Sequence, residues 1–586
     1  MRQWMVAAKK ADFYAIAEKF HVDPVVARII RNREVIGEKN IRIYLGGNLS
    51  DLSDPHQMKD MDRLVEILAQ KIRKQVHIRI IGDYDVDGVT SSHLFLTALR
   101  RVGAKVDVLI PHRIQDGYGL SLHLLQQAKE DGVDTILTCD NGIAAIDEIA
   151  WAKAQKMTVL VTDHHAVPFE EHEGRRTEKK SLADAVVNPH QQDCRYPYKE
   201  LCGAGVAWNV IRVLYENYDM DKREAEDLLD FVAMATVCDV MSLTGENRIL
   251  VKEGLKRIRH TKNIGLQALM QACNVQPENI SAYHFGYVLG PCVNATGRLD
   301  TARHALRLFE TGQETEAEEI ARDLVDLNQE RKELTLQGVE MAKKLCEEGG
   351  YENDPILVLF LPDVHESIAG LIAGRIREMY NRPVFVLTRG EEGVKGSGRS
   401  TENYSMYENM CGCAELFTKF GGHPMAAGLS LPEENVEKFR RKINENCPLT
   451  VEEVCPDIHI DMAMPVGYAS TELVHQFALL EPFGKDNPSP LFVDRNLSIS
   501  RMWVIGKNRN VLRMSVLSEY GQPVPVIFFG DVETLFAYFT EKFGQEEVEN
   551  ALHGRKNRIL FSMVYTAKID FYQGNENLQL EMKYYR

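Results

Sequence analysis

No long hydrophobic run occurs in the sequence. The longest uninterrupted apolar stretches, such as residues 356–361, are far shorter than the ~20 residues that a membrane-spanning helix requires. The first ten residues contain neither a sustained apolar region nor a signal-cleavage pattern. These absences argue against a membrane or secreted protein and predict a cytoplasmic location.

Cysteine is also sparse. The chain has 11 cysteines among 586 residues, and only Cys411 and Cys413 lie within three residues of each other. Scattered cysteines in a long chain are typical of reduced intracellular thiols, and an isolated Cys-x-Cys pair is a weak zinc signal. A disulfide scaffold and a zinc-binding module are therefore both disfavoured.

Positive charge is the third deficit. The net charge is −16, which by itself argues against a nucleic-acid partner, because such proteins attract phosphates with basic surfaces. Basic residues nevertheless cluster at 73–79, 256–262, 507–513 and 555–558. Any one of these clusters is more simply explained as a solvated surface, so charge leaves the question open.

Short apolar runs alternate with helix-like segments in the first half of the chain. Residues 78–81, 135–139 and 158–162 are such runs, and each is closely followed by an aspartate, at Asp83, Asp140 and Asp163. The alternation predicts a parallel sheet with crossover helices, and ligands bind beyond the carboxyl ends of such strands. The three aspartates therefore predict a functional site at one edge of this sheet.

The rest of the chain predicts three further parts. Residues 314–348 lack proline, contain one glycine and are rich in helix-forming residues, so we expect one long helix. A second α/β segment follows, with strands at 356–361 and 384–388 around a helix at 366–380. After Pro456 the pattern changes to short strands with tight turns, which predicts a small β-barrel; an oligonucleotide-binding barrel would fit.

The first chemical motif is Asp83-Tyr-Asp85-Val-Asp87-Gly88, which follows the first strand. Its three alternating carboxylates can hold hard divalent cations, and the N-terminus of the following helix favours an anionic ligand. The same pattern opens the calcium loop of an EF-hand, but that loop ends in glutamate, where this chain has Leu94. The motif therefore predicts a cation site beside an anion site.

Histidines join the carboxylates at another strand end. Asp163-His164-His165 combines a carboxylate with two imidazoles, a set that suits manganese and similar ions. Asp140-Asn-Gly lies one strand earlier, and Asp239 ends the segment Ala-Thr-Val-Cys-Asp. A histidine pair alone is more often structural, but ligands from four separate segments are what a two-metal site for phosphoryl transfer needs.

In order and composition these motifs resemble the four phosphoesterase motifs of the DHH superfamily and, within it, those of RecJ-type exonucleases. Four further motifs extend the likeness, and the last two are typical of the associated DHHA1 domain: Asp116-Gly-Tyr118-Gly-Leu120, Asn294-Ala-Thr-Gly-Arg298-Leu-Asp300, Gly396-Ser397-Gly-Arg399-Ser400 and Gly421-Gly-His423-Pro-Met-Ala-Ala-Gly428. Pro482-Phe-Gly and Asn487-Pro resemble the start of the RecJ oligonucleotide-binding (OB) barrel.

The resemblance implies an α/β multidomain fold. Its parts would be a parallel-sheet DHH phosphoesterase domain, a long connecting helix, a DHHA1 α/β domain and a C-terminal OB-like β-barrel. The expected boundaries are 1–45 for an N-terminal helical segment, 46–255 for the DHH domain, 256–350 for the helical connector, 351–455 for the DHHA1 domain and 456–586 for the OB-like nucleic-acid-binding domain.

The resemblance also implies roles for individual residues. Two Mn²⁺ or Mg²⁺ ions would be bound by Asp85, Asp87, Asp140, His164 and Asp239, with Asp140 bridging them. The catalytic residues would be Asp140, His164, His165 and Arg298, of which His165 meets the scissile phosphate or a metal and Arg298 neutralises charge on the phosphate. Asp83 and Asp163 would orient neighbouring ligands.

Nucleic-acid contacts follow from the same resemblance. They would come from Arg113, Tyr118, Arg298, Ser397, Arg399 and His423, with Arg113, Ser397 and Arg399 at a 5′-terminal phosphate. Cys292 departs from the family, which usually has arginine after Gly290-Pro291, and this puts one phosphate contact in doubt. Around Asp239, residues Ala235, Cys238, Met241 and Ser242 replace the commoner ones, although the ligand itself is kept.

The implied function is a single-stranded-DNA-specific 5′-to-3′ exonuclease that releases 5′-mononucleotides by two-metal catalysis in DNA repair and recombination. Its partners would be single-stranded DNA, a single-strand-binding protein and a helicase, and it would act as a monomer. Two alternatives are a DHH-family phosphodiesterase for short oligoribonucleotides or cyclic dinucleotides, and a non-catalytic scaffold related to RecJ. The residues after Pro456 disfavour the first, and the filled ligand positions disfavour the second.

Overall fold

The computed structural model describes residues 3–113, 116, 119–172, 175–390, 393–506, 510–572 and 574–586. They form two compact units. The first unit is Leu52–Pro456, and the second unit combines Gln3–Asp51 with Asp457–Arg586. No helix in the described ranges is both long and apolar enough to cross a membrane.

The second unit begins with the N-terminal segment. Its elements are β1 (Trp4–Val6), α1 (Phe13–Phe20), α2 (Pro24–Asn32) and α3 (Glu38–Gly46). The carboxylate of Asp23 caps α2 by accepting a hydrogen bond from Val25 N at 2.7 Å, and proline occupies the first helical position, where its missing N–H costs nothing. The buried faces of these helices belong to the hydrophobic core that also contains the C-terminal strands.

The first unit opens with a parallel sheet flanked by helices. Its elements are α4 (Met61–Arg73), β2 (Ile78–Ile81), α5 (Val86–Arg101), β3 (Val106–Leu109), α6 (Leu122–Glu130), β4 (Thr135–Cys139), α7 (Ile146–Ala154), β5 (Thr158–Thr162), β6 (Phe169–His172), β7 (Arg175–Glu178) and β8 (Ala185–Val187). Five of the strands pair in the order β3-β2-β4-β5-β8, all parallel, while β6 and β7 form a separate hairpin. The three strands predicted to end in aspartate are confirmed as β2, β4 and β5.

The strand order locates the site. β2 pairs with β3 on one side and with β4 on the other, so the order reverses between the carboxyl ends of β2 and β4. In open α/β sheets ligands bind at this reversal. The sheet is covered on both faces, which explains why every residue of β2 and β4 is buried.

Helices make up the middle of the chain. They are α8 (Gly203–Asn217), α9 (Arg223–Glu226), α10 (Leu229–Cys238), α11 (Gly245–Ile258), α12 (Ile264–Ala272), α13 (Ala282–His284), a π-helical turn (Phe285–Leu289), α14 (Gly290–Leu299), α15 (Arg303–Glu310) and α16 (Glu314–Glu348). The long helix predicted from composition is confirmed as α16. It packs against α12 and α14 at its start and against α17 further along.

A second sheet follows α16. Its elements are β9 (Leu357–Phe360), α17 (Glu366–Tyr380), β10 (Val384–Gly390), β11 (Gly393–Arg399), α18 (Met406–Cys411), β12 (Lys419–His423), β13 (Ala426–Leu431) and α19 (Val436–Glu445). The strand order is β12-β13-β11-β10-β9, and only β9 and β10 are parallel. One face packs on α16 and α17, and the other on α19, so this sheet has a hydrophobic core on each side.

The second unit is completed by the C-terminal strands. Its elements here are β14 (Ile458–Ile460), β15 (Met462–Ala463), α20 (Thr471–Phe477), β16 (Phe492–Ile505), β17 (Val511–Leu517), β18 (Pro523–Phe529), α21 (Val532–Phe543), α22 (Gln545–Leu552), β19 (Leu560–Tyr572) and β20 (Asn575–Tyr585). The pairings β16–β17, β17–β18, β18–β20, β20–β19 and β19–β16 form a closed ring of five strands. This ring is the OB-like sheet expected from the sequence. β14 pairs in parallel with β1 of the N-terminal segment.

Candidate metal centre and phosphate-binding site

The predicted metal-binding side chains lie together at the carboxyl ends of β2, β4 and β5. Three overlapping groups have potential ligand atoms within 4.8 Å of one another: Asp83, Asp85 and Asp140; Asp140, His164 and His165; and Asp87, His164 and Asp239. Asp239 comes from outside the sheet, at the C-terminal end of α10. Four separate segments therefore meet in one cluster.

Helix α8 fixes the position of Asp87. The two oxygens of this carboxylate accept hydrogen bonds from the backbone N–H groups of Gly203 at 2.6 Å and Ala204 at 2.7 Å, the first two residues of the helix. The N-terminal end of α8 therefore faces this carboxylate. A Cβ atom at position 203 would lie only 2.6 Å from the Cβ atom of Asp140, so glycine is needed for this close approach.

Asp163 holds the two histidines. Its carboxylate accepts hydrogen bonds from Ile143 N at 2.9 Å, from His164 N at 2.7 Å and from His165 Nδ1 at 2.7 Å. Although burial lowers it, the hydrogen bond to Asp163 raises the pKa of His165 to about 9. Asp163 thus fixes the ring orientation of His165.

His164 lies among three carboxylates. Its Nε2 atom is 3.1 Å from Asp140 Oδ1, 3.6 Å from Asp239 Oδ2 and 3.7 Å from Asp87 Oδ2. Nevertheless His164 Nε2, Asp140 Oδ1 and Asp83 Oδ1 are buried atoms that make no hydrogen bond. Since buried polar atoms almost always have a partner, these three atoms point to a ligand that is not part of the protein.

The charge balance of the cluster indicates that this ligand is cationic. Burial, together with repulsion from neighbouring carboxylates, raises the pKa of Asp83, Asp85 and Asp140 above its ordinary value. Burial lowers the pKa of His164, which favours the neutral imidazole that binds metals. Divalent cations would relieve the repulsion among the carboxylates. Carboxylate oxygens with imidazole nitrogen suit Mn²⁺, and the carboxylates also suit Mg²⁺, so the residues fit these ions.

Helix α14 brings Arg298 to the cluster. Asn294 of this helix accepts a hydrogen bond from Val86 N at 3.1 Å, and Gly297 packs so closely on Tyr84 that a Cβ atom would clash with the Tyr84 carbonyl oxygen. The helix therefore lies directly on the loop that carries Asp83, Asp85 and Asp87. Arg298 itself donates a hydrogen bond to the Ser367 carbonyl oxygen at 2.6 Å.

Arg298 belongs to a group of four arginines. Burial, followed by repulsion from Arg113, Arg331 and Arg399, lowers the pKa of Arg298 to about 9. Arg113 stacks over the Tyr84 ring at 4.8 Å, and the hydrogen bonds that Arg298, Arg331 and Arg399 donate within the described residues go to carbonyl or amide oxygens. Partly buried arginines whose described hydrogen-bond partners are neutral oxygens attract an anion, and phosphate matches their geometry.

A pocket of about 410 Å³ lies beside this group. Arg113 and Ser397, two of the residues predicted to contact a 5′-phosphate, line it together with Lys395 and Lys419. Lys395 also forms an ion pair with Glu366 at 2.8 Å. Neither lysine was predicted from the sequence. The alternation Lys395-x-Ser397-x-Arg399 along β11, whose intervening residues are buried, was the signal that could have identified Lys395.

Arg399 and His423, two further predicted nucleic-acid contacts, are not among the residues that line this pocket. Arg399 lies next to α17, where a Cβ atom at Gly370 would be 2.8 Å from its Nη2 atom. His423 is exposed at the end of β12. Tyr118 lies outside the described residues.

Cys292 contacts Asn328, which in turn contacts another arginine. Cys292 is buried, its Sγ atom lies 3.8 Å from Cys273 Sγ, and it accepts a hydrogen bond from Asn328 Nδ2 at 3.3 Å. Asn328 Oδ1 in turn accepts hydrogen bonds from Arg331 at 2.8 and 3.1 Å. Position 292, where the family usually has arginine, is therefore close to Arg331 of α16. Arg331 was not predicted from the sequence, because α16 is charged along most of its length.

Comparison with known proteins agrees with this architecture. Three family models match the chain: the DHH family N-terminal domain at residues 77–236, the DHHA1 domain at 353–447 and the RecJ OB domain at 460–584. The computed structure is similar to the crystal structure of Thermus thermophilus RecJ in complex with Mn²⁺, with a TM-score of 0.81 and 25% identity, covering 100% of this chain and 79% of the other.

Two curated relatives are similar over most of this chain, and both are named single-stranded-DNA-specific exonuclease RecJ. The Haemophilus influenzae protein is 32% identical over 96% of both chains. The Bacillus subtilis protein is 33% identical over 87% of this chain, and the match spans 63% of that longer protein. With these similarities and the clustered motifs, the chain belongs to the RecJ family.

Proposed function

We propose that the protein hydrolyses single-stranded DNA from its 5′ end, releasing 5′-mononucleotides, with two Mn²⁺ or Mg²⁺ ions. The observation that carries the proposal is the position of the carboxylate and imidazole cluster beside a group of four arginines, three of which donate their described hydrogen bonds to neutral oxygens. The cluster fits divalent cations, and the arginines fit the phosphates of a strand. The names of the relatives supply the class of substrate.

In this proposal the two ions are bound by Asp85, Asp87, Asp140, His164 and Asp239. Bound at this cluster, the ions would stabilise charge on the phosphoryl oxygens and lower the pKa of water. Asp140, which takes part in two of the three ligand groups, would serve both ions.

The surrounding residues position these ligands and the substrate. Asp163 orients His165 towards the scissile phosphate, and Asp83 orients the neighbouring carboxylates. Arg298 neutralises charge on the phosphate during the reaction. Backbone groups hold Asp163 and Arg298 through hydrogen bonds before substrate binds, so these two side chains need little reorganisation.

The pocket would determine the 5′-to-3′ direction of hydrolysis. Arg113 and Ser397 of the pocket, together with Arg399 two residues further along β11, would hold the terminal 5′-phosphate, with Lys395 and Lys419 adding positive charge. Tyr118 and His423 would contact the strand further along. A free 5′ end would then be fixed next to the cluster.

The RecJ OB match at 460–584 favours a polymeric substrate over short oligoribonucleotides or cyclic dinucleotides. The complete ligand cluster disfavours a non-catalytic scaffold. We further infer that the protein works as a cytoplasmic monomer in DNA repair and recombination. A helicase would supply the single strands, and a single-strand-binding protein would keep them unpaired.

Strands labelled separately at each end test this proposal. With Mn²⁺ or Mg²⁺ the 5′ label should appear in a mononucleotide at once, while the 3′ label remains in a shortening strand, and EDTA should stop both reactions. Early release of the 3′ label would reverse the proposed polarity. Hydrolysis of oligoribonucleotides without hydrolysis of DNA would favour the alternative function of a DHH-family phosphodiesterase for short oligoribonucleotides or cyclic dinucleotides.

A further inference from the structure

Two exposed tyrosines are stacked on each other in the helical segment that packs against α10. The side chains of Tyr283 and Tyr287 are 63% and 71% exposed, and their ring centroids lie 5.1 Å apart with the planes inclined by 24°. Exposed large aromatic rings leave apolar area in contact with water. A stacked pair in this state is suited to accept another flat ring.

The backbone around the pair has an uncommon conformation. Tyr287 lies in the π-helical turn Phe285–Leu289, directly before α14. Single π-turns occur often at functional sites because they change the direction in which side chains point. Tyr287 follows Tyr283 by four residues, a spacing that places two side chains on the same face of a helix.

The π-helical turn also packs on the helix that ends in a proposed metal ligand. Cys238, the last residue of α10, donates a hydrogen bond from its Sγ atom to the Phe285 carbonyl oxygen at 3.3 Å. The next residue is Asp239, and it is followed by Val240, which is 63% exposed with a φ of 54°. A β-branched residue rarely adopts this strained backbone conformation, which is most often retained at functional sites.

We propose that Tyr283 and Tyr287 form a stacking subsite for nucleobases of the single strand near the metal cluster. The inference rests on the proposed function, because it takes single-stranded DNA as the ligand. The arginine group can bind the phosphates of a strand, and an aromatic pair offers the different kind of contact that its bases make. Aromatic rings stack on any of the four bases, so the subsite would suit an enzyme that must accept every sequence.

Binding and hydrolysis of strands that contain abasic positions test the subsite. In wild type, replacing one nucleotide at a time by an abasic residue should weaken strand binding about tenfold at the one or two positions that stack. In the double variant Tyr283→Ala/Tyr287→Ala these positions should lose their effect, because the partner of the base is gone. The variant Tyr283→Phe/Tyr287→Phe, which keeps both ring faces, should restore the dependence on the base.

Tyr14 provides a matched control, since it is 78% exposed on α1. Tyr14→Ala should leave the abasic profile unchanged. The inference is overturned if wild type shows no position-dependent effect, or if the double alanine variant keeps the wild-type profile. A partner protein as the true occupant of the tyrosine pair would produce this second result.

Binding is measured by fluorescence anisotropy in EDTA, so the result does not depend on hydrolysis. KM and kcat are measured separately with Mn²⁺, and loss of stacking should raise KM more than it lowers kcat. If wild type does not hydrolyse DNA at all, the proposed function fails, while the binding profiles still test the tyrosines. The two failures are therefore distinguishable.

Discussion

At the scale of single residues, the cluster depends most on Asp140. This residue belongs to two of the three ligand groups and has a buried oxygen without a hydrogen bond. Its backbone has a φ of 60°, a conformation that asparagine tolerates better than alanine. Asp140→Asn therefore removes the charge while preserving the shape of the loop.

We expect Asp140→Asn to lower kcat on single-stranded DNA about a thousandfold at saturating Mn²⁺, because a charge that serves both ions is lost. In EDTA the thermal midpoint should not fall, since the substitution relieves repulsion with Asp85 and Asp87. Asp147→Asn, at an exposed position on α7, is the control and should keep its activity. Retention of more than a few per cent of wild-type activity by Asp140→Asn would contradict the two-metal proposal.

Recognition of the chain end is also a property of single residues. Arg399→Ala should lower kcat/KM for 5′-phosphorylated strands. The loss should correspond to ~1.5 to 3 kcal/mol of transition-state stabilisation, the usual scale for a hydrogen bond to a charged group. Strands with a 5′-hydroxyl should lose less, and kcat should change less than kcat/KM because the contact acts on ground and transition states alike.

Arg389→Ala is the matched control for Arg399→Ala. Arg389 lies on the neighbouring strand β10 in an exposed ion pair with Glu433, which contributes little to stability. The measurement compares both variants on strands that differ only in the 5′ group. An equal loss on both strands would remove Arg399 from the end-binding pocket.

At the scale of elements, α10 matters because Asp239 lies at its C-terminal end. Its first turn contains Asp230, whose buried carboxylate accepts hydrogen bonds from Thr261 Oγ1 at 2.6 Å and Phe231 N at 2.9 Å. Burial raises the pKa of Asp230 to about 6. The folded state therefore disfavours the ionised form of Asp230. The stability that the protonated carboxyl contributes is fully present below its ordinary pKa and is lost as the pH rises through about 6.

Asp230→Asn should consequently stabilise the protein at pH 8 by up to ~3 kcal/mol, and should have little effect near pH 4, where the wild-type carboxyl is already protonated. Asparagine can keep both hydrogen bonds, because the Thr261 hydroxyl can also accept. Thermal midpoints across this pH range provide the measurement. Asp227→Asn, at an exposed position nearby, should show no comparable pH dependence, and a gain for Asp230→Asn that is equal at both pH values would refute the argument.

Elements with a strong local pattern were predictable from the sequence. Helix α17 was expected at 366–380 and strand β4 at 135–139, and both have these bounds. The strand-end aspartates were also predictable, because parallel strands align their carboxyl ends. The π-helical turn and the contact between Cys292 and Asn328 depend on how helices pack, and no local pattern in the sequence encodes them.

At the scale of the whole molecule, the division into units could not be read from the sequence. The N-terminal segment shares a hydrophobic core with residues more than 400 positions later. Polar contacts also join the two segments, such as the ion pair between Arg33 and Asp461 at 2.7 Å and the hydrogen bond from Tyr44 to Asn487 at 2.8 Å. Residues 3–51 are therefore part of the structure that carries the OB-like sheet.

This division determines how the protein can be shortened. A fragment of residues 1–456 would keep helices α1–α3 but lose the core on which they pack, so it should expose apolar surface and aggregate. A fragment of residues 52–456 contains the first unit with its own cores and should stay monodisperse. Size-exclusion chromatography of the two fragments distinguishes these outcomes.

The 52–456 fragment should still hydrolyse very short oligonucleotides, because it contains the cluster, the arginines and the pocket. It should bind long single strands weakly, since OB-type sheets contribute ~1 to 3 kcal/mol for each stacked base. Fewer phosphate contacts should also make its binding less dependent on salt. Anisotropy titrations of full-length protein and fragment with long and short strands at several salt concentrations test both expectations. Equal affinity of the fragment and the full chain for long strands would mean that the second unit does not bind DNA.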